Sequence, residues 1–237
     1  MKLTHVHMKN FEEYKPYIDT LILPVGAIEA HGPHAPLGTD MLIPQLIAEY
    51  IEGKLSGRVW TAPVIPYGHC AVLADFPGTI DVPNRILADY VHAVVASFSR
   101  YGIKHVVLLN GHGGNITALN ETAMRLTELN LHVLVSNYWL DYQAEIREIT
   151  PGTGHGGEDE TSLVMVAAKG AVDLTLAGNH ELDAPTRARF PEMGKRLYPN
   201  GYSGHAAAAS AEKGDRLLQL IGDRILQEIT QMWELNS

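Results

Sequence analysis

The stretch VGAIEAHGPHAPLGTD, residues 25–40, places Glu29, His31, His34 and Asp40 among glycines and prolines. Carboxylates and imidazoles at this density suit metal ligation or acid–base chemistry, and the Gly and Pro residues exclude a regular helix across them. In an extended segment residues i and i+2 point the same way, so Glu29 and His31 can face one site. Asp40 returns after the turn-rich GPHAPLG, just before a helical pattern opening at MLIP. A helix cap would account for Asp40 or Thr39, but for neither Glu29 nor His31.

A second loop, NGHGGN (110–115), carries His112 at its apex. A strand, a Gly-rich loop and a helix can also hold phosphate at the helix N-terminus. Gly111, Gly113 and Gly114 nevertheless lack the G-x-G-x-x-G spacing, and no P-loop lysine follows. His112 is therefore read as a ligand, with Asn115 capping the next helix. A third cluster, GTGHGGEDETS (152–162), sets His155, Glu158, Asp159 and Glu160 ahead of the apolar LVMVAA. Acids in a first helical turn suit the macrodipole, so one of the three is expected to do only that. At least one other is expected to act as a ligand or general base.

Two or three carboxylates with two histidines and no thiolate suit Zn²⁺, Mn²⁺ or Fe²⁺ and are too rich in imidazole for Ca²⁺ or Mg²⁺. Five protein ligands exceed what one catalytic Zn²⁺ takes. Two divalent ions ~3.5 Å apart and sharing a carboxylate resolve the count. Asp40, set apart from the Glu29/His31 pair, is the expected bridge.

Positioning these groups falls to short apolar runs that read as buried strands: 20–26, 59–66, 104–111 and 131–137. Between them, 41–55, 84–101 and 115–129 have helical spacing. Near the C-terminus Leu217, Ile221, Ile225, Ile229 and Met232 mark a long amphipathic helix. Strands alternating with helices imply a three-layer α/β/α sandwich with a mostly parallel sheet. Such sheets bind ligands at their strand C-terminal ends, which brings the first two histidine loops to one rim. No repeat or linker divides the chain, so residues 1–237 are read as a single domain.

A formal net charge of −9 argues against nucleic acid. The single cysteine, Cys70, excludes an internal disulfide and fits a reducing compartment. Without a signal-like N-terminus or an apolar run of ~20 residues, no membrane partner and a cytoplasmic location are expected.

The segments LPVGAIEAHGPHAPLGTD, HVVLLNGHGGN, HGGEDETS and GYSGHAAAASAEKG, in this order, resemble the creatininase (creatinine amidohydrolase) family. The resemblance implies a Rossmann-like α/β/α domain, a binuclear metal centre and a homohexamer. It makes Glu29 and His112 ligands of one ion, His31 a ligand of the other and Asp40 the bridge. Creatininases carry a glutamate two positions after the loop histidine, where this chain has Gly114. The missing carboxylate is expected from Glu160, or failing that Glu158. The tryptophan gate that creatininases place before their next His-x-Gly is also absent from TPGTGHGG, which disfavours creatinine as substrate. Trp139 and His69 are the candidates for lining the pocket.

The expected reaction is attack of a bridging hydroxide on the carbonyl of a small amide or formamide, with His155 or Glu158 carrying the proton. Hydrolysis of a cyclic ketone, such as an oxidised inositol, is the alternative chemistry. A non-enzymatic metal or small-molecule binder is the alternative class.

Overall fold

Six consecutive buried residues, TLILPV, form β1 (Thr20–Val25), and six more, HVVLLN, form β3 (His105–Asn110). Runs without polar alternation belong in a parallel sheet covered on both faces. The computed structural model, which describes residues 1–55, 57–183, 188 and 190–235, has that arrangement. With β2 (Val59–Thr61) and β4 (His132–Ser136), these strands make an all-parallel sheet of order β2-β1-β3-β4.

Around it lie helices α1 (Met8–Tyr14), α2 (Thr39–Lys54), α3 (Asn84–Ser99), α4 (Ile116–Thr127), α5 (Tyr138–Asp141), α6 (Gln143–Ile149), α7 (Glu158–Ala167), α8 (Met193–Leu197) and α9 (Ala211–Glu234). The strand period of two sorts the core into layers. Leu21, Leu23, Val106 and Leu108 meet Leu87, Val91 and Val95 of α3 and Leu119 of α4. Ile22, Val107 and Leu109 meet Ile43 and Ile47 of α2, Leu163 of α7 and Ile221 and Ile225 of α9. Each fully buried aliphatic side chain contributes ~1.5–3 kcal/mol, so both faces of the sheet are held firmly below the loops. No described helix is long and apolar enough to cross a membrane.

One strand differs from expectation. The run 59–66 pairs only over Val59–Thr61, because the chain leaves the ladder at Ala62–Pro63 and returns as a single bridge from Ile65 to Val25. That departure also accommodates Pro24 in a central strand. Its carbonyl accepts from Ile65 N at 3.0 Å, so its missing N–H faces the same interrupted side and costs no ladder bond.

Candidate metal centre

β1 and β3 run in register, with Val25 opposite Asn110, so the loops that follow leave the sheet side by side. The strand order also diverges here, to β2 on one side and β4 on the other, which opens the crevice where such sheets bind ligands. Asp40 lies buried in the first turn of α2, and no side chain caps this helix. Pro44, four residues on, has no N–H to give the Asp40 carbonyl. That carbonyl fills the space beside Gly111, where an added Cβ would come within 2.1 Å of it. Asp40 is thus pinned from behind by close main-chain approach. Asn115 does not cap α4 through its side chain. Its Oδ1 accepts from His69 N (2.9 Å) and its Nδ2 donates to Gly26 O (3.0 Å), which ties three loops together.

The donors converge around the Asp40 carboxylate. His31 Nε2 lies 2.9 Å from Asp40 Oδ1 and 3.5 Å from Glu160 Oε2. On the other side, His112 Nδ1 lies 2.8 Å from Asp40 Oδ2 and 3.4 Å from Glu29 Oε1. Both rings are oriented by main-chain carbonyls: His31 Nδ1 donates to Glu29 O (3.0 Å) and His112 Nε2 to His69 O (2.9 Å). Since a carbonyl only accepts, the proton of each neutral ring is used there, and the other nitrogen turns a lone pair toward carboxylate oxygens. Acceptors facing acceptors at these distances need either a second proton on each ring or a cation between them. Asp40 Oδ2 is buried and has no hydrogen-bond partner among the described residues, His112 approaching it off the line of a hydrogen bond. His31, Asp40 and Glu160 lie close enough to ligate one cation. A carbonyl-anchored imidazole opposite a carboxylate is how proteins orient metal-bound histidine. The donor set therefore fits a divalent cation beside Asp40, with His31, Asp40 and Glu160 as the residues that would hold it.

The electrostatics show what the cluster does with protons alone. Burial would lower the His31 pKa, but Asp40, Glu160 and Glu29 outweigh it and raise it to about 10. Burial likewise opposes charge on His112, and Glu29 and Asp40 carry it well above the ordinary value. Asp40 resists burial because both imidazoles hold its carboxyl well below the usual range. Burial raises Glu160, as do Asp40 and Asp159, against the opposing pull of His31. The groups are built to share positive charge that must come from somewhere.

His155 stands beside this cluster. Its Nε2 donates to Ala30 O (2.7 Å), and its Nδ1 lies 3.6 Å from Glu29 Oε1. Burial, with His31 next, depresses its pKa to about 3. Glu158 is not brought to the centre. Its Oε1 pairs with Lys213 of α9 and its Oε2 accepts from Gly152 N (2.7 Å), so both oxygens are committed. Residues two apart on a helix point to nearly opposite sides, and of the two glutamates it is Glu160 that faces Asp40. Gly114 has no side chain to offer as a ligand, and a Cβ there would come within 1.8 Å of the His69 carbonyl.

His34 is an anchor: its Nε2 contacts Gly156 O (2.9 Å) and Thr161 Oγ1 (3.1 Å), and Tyr202 packs edge-on to its ring. A cavity of about 520 Å³ opens onto the cluster, lined by Glu29, Asp40, His112, His155 and Glu160, with His69 and Trp139 in its walls as expected. Tyr67, Asp75 and His205 do not line it. Sequence reasoning missed Cys70, Arg147, Leu182 and Tyr198 in its lining.

Residues 4–229 match the creatininase (creatinine amidohydrolase) family model. The chain is 30% identical over 233 residues to creatinine amidohydrolase of Pseudomonas putida, covering 88% of this chain and 89% of that one. It is 27% identical over 236 residues to the mycofactocin precursor peptide peptidase of Mycobacterium ulcerans, covering 90% and 85%. A manganese form of creatininase superposes with a TM-score of 0.84 at 26% identity, over 97% of each chain. A Zn–Zn form of a creatininase variant also gives 0.84, at 25% identity and 97% coverage of each. Fold, cluster and likeness over nearly the whole length agree: this chain belongs to the creatininase family of metal-dependent amidohydrolases.

Proposed function

We propose that the chain is a dinuclear hydrolase that cleaves a carbon–nitrogen bond in a small amide or formamide. Glu29, Asp40 and His112 would hold one ion and His31, Asp40 and Glu160 the other. The observation that carries this reading is the Asp40 carboxylate, whose two oxygens each face a different carbonyl-anchored imidazole. Two cations so placed would lower the pKa of water toward neutrality and polarise a substrate carbonyl. The names of both relatives, an amidohydrolase and a peptide peptidase, point to amide substrates.

The chain's own residues supply the rest. Because Nε2 of His155 is committed to the Ala30 carbonyl, its Nδ1 carries the free lone pair at the cavity. With its pKa held at about 3 the ring is a weak base and, once protonated, a strong acid, so Nδ1 holds a proton only in passing, between the attacking water and the leaving nitrogen. His31 packs against the same ring at a tilt, with centroids 4.2 Å apart and planes 39° apart. Trp139, Leu73 and Leu182 give the cavity apolar wall that limits competing water. Its volume admits a small molecule or the end of a peptide and is too small for a folded partner.

A screen of small cyclic and linear amides, formamides and cyclic ketones, each with Zn²⁺, Mn²⁺ and Fe²⁺, tests the proposal. Amine release that needs metal and falls ~10²–10⁴-fold in His155→Ala, with metal content unchanged, is the expected result. Turnover that survives complete chelation, or turnover confined to the ketones, refutes it.

A further inference from the structure

The single cysteine of the chain is not remote from the chemistry. Cys70 is buried and lines the same cavity as the cluster. Its sulfur, a Glu29 oxygen and a His112 nitrogen all lie within 4.8 Å of one another. Nothing else holds the sulfur firmly, since its contacts to Gly68 O and Ile28 O are long, at 3.7 and 4.0 Å. The residue's main chain is held in place, by contrast, with Cys70 N donating to Asp81 Oδ1 at 2.7 Å. Asp40 Oδ2, the buried oxygen without a hydrogen-bond partner among the described residues, lies 2.8 Å from His112 Nδ1.

These observations rest on the dinuclear reading and sharpen it. Zinc binds thiolate sulfur at ~2.3 Å and imidazole nitrogen at ~2.0–2.1 Å, so its tetrahedral ligands stand well under 4.8 Å apart. His112 Nδ1 stands 3.4 Å from Glu29 Oε1 and 2.8 Å from Asp40 Oδ2, and the sulfur needs only a small further approach. We propose that Cys70 is a fourth protein ligand of the Glu29/Asp40/His112 ion. Four protein ligands would leave that ion only an expanded fifth position for a shared water. The His31/Asp40/Glu160 ion, with three, keeps the open position where substrate and water exchange. The thiol proton passes to solvent as the sulfur binds. A thiolate also biases the four-ligand site toward Zn²⁺ over Mn²⁺, which prefers oxygen donors.

Cobalt reports the sulfur directly. Protein stripped by a chelator and reloaded with Co²⁺ is expected to bind two ions per chain and to show a near-ultraviolet sulfur-to-cobalt charge-transfer band. With one cysteine in the chain, that band can only come from Cys70. Cys70→Ser is expected to lose the band. In Zn²⁺/Mn²⁺ competition the variant's Zn²⁺ preference should fall at least ~10-fold, the least expected when even an outer-shell partner is lost. Two Co²⁺ per chain without the band overturns the inference and leaves the dinuclear reading standing. Fewer than two Co²⁺ per wild-type chain overturns both. An unchanged Zn²⁺ preference in Cys70→Ser overturns the ligand role. If the variant does not fold, the wild-type spectrum alone decides.

Discussion

Asp40→Asn removes one charge and one ligand oxygen while keeping the shape of the side chain. Each Asp40 oxygen serves a different imidazole, at 2.9 and 2.8 Å, so the substitution strikes both ion sites at once. A ligand present at ~100 times its Kd stabilises the folded state by ~2.7 kcal/mol, and two such ions by about 5 kcal/mol. For a chain of 150–250 residues ~1 kcal/mol moves the Tm by ~2–4 °C. Wild-type protein should therefore melt about 10–20 °C higher when loaded than when stripped. Asp40→Asn should lose nearly all of this metal-dependent shift and carry fewer than one ion per chain by elemental analysis. Reading the shift within each protein cancels any change in the stability of the stripped fold. A variant that keeps two ions and the full shift would falsify the bridge.

Other expectations are narrower. Metal must displace protons from His31, raised to about 10, and from His112 and Glu160, both also raised. Rings that are protonated below these values bind metal only after release, so affinity should rise with pH across 6–9. Calorimetry in buffers of differing ionisation enthalpy should count more than one proton released per chain, and pH-independent affinity would contradict this. Glu160→Gln should cost one ion of two. Glu158→Gln should keep both and lower the Tm, since it weakens a buried hydrogen bond to Lys213 worth ~1.5–3 kcal/mol; metal loss confined to Glu158→Gln would reverse the assignment. Gly114→Glu, which restores the glutamate of creatininases, should destabilise by ~1–3 kcal/mol or more without raising the ion count, because its Cβ meets the His69 carbonyl. A stable variant with tighter metal binding would show that loop to be more yielding than its packing implies.

The strands were legible because each is a short apolar run cut by Gly or Pro. The shared rim followed from parallel pairing and is seen in the Val25–Asn110 register. Asp40 stood out because capping explained nothing else in its loop. Choosing between Glu158 and Glu160 required the distant partner Lys213, 55 residues away, which no local spacing reveals. Asn115 sits where a helix cap belongs, and only the folded position of Gly26 and His69 shows its side chain to be a tie between loops. Cys70 was counted for what it excluded, a disulfide, because its approach to Glu29 and His112 depends on the path of the loop after β2.

The two histidines beside Asp40 take their orientation from backbone carbonyls, those of Glu29 and His69, and the carbonyl of Asp40 itself packs against Gly111. The outer support of this cluster is thus written in the main chain, which replacements in the cavity walls leave in place. An evolving lineage is free to rework the cavity walls toward new substrates while the metal chemistry beneath is inherited intact. The vulnerable positions under such drift are two with no side chain at all: Gly111, where a methyl group would meet the Asp40 carbonyl, and Gly114, where it would meet the carbonyl that orients His112.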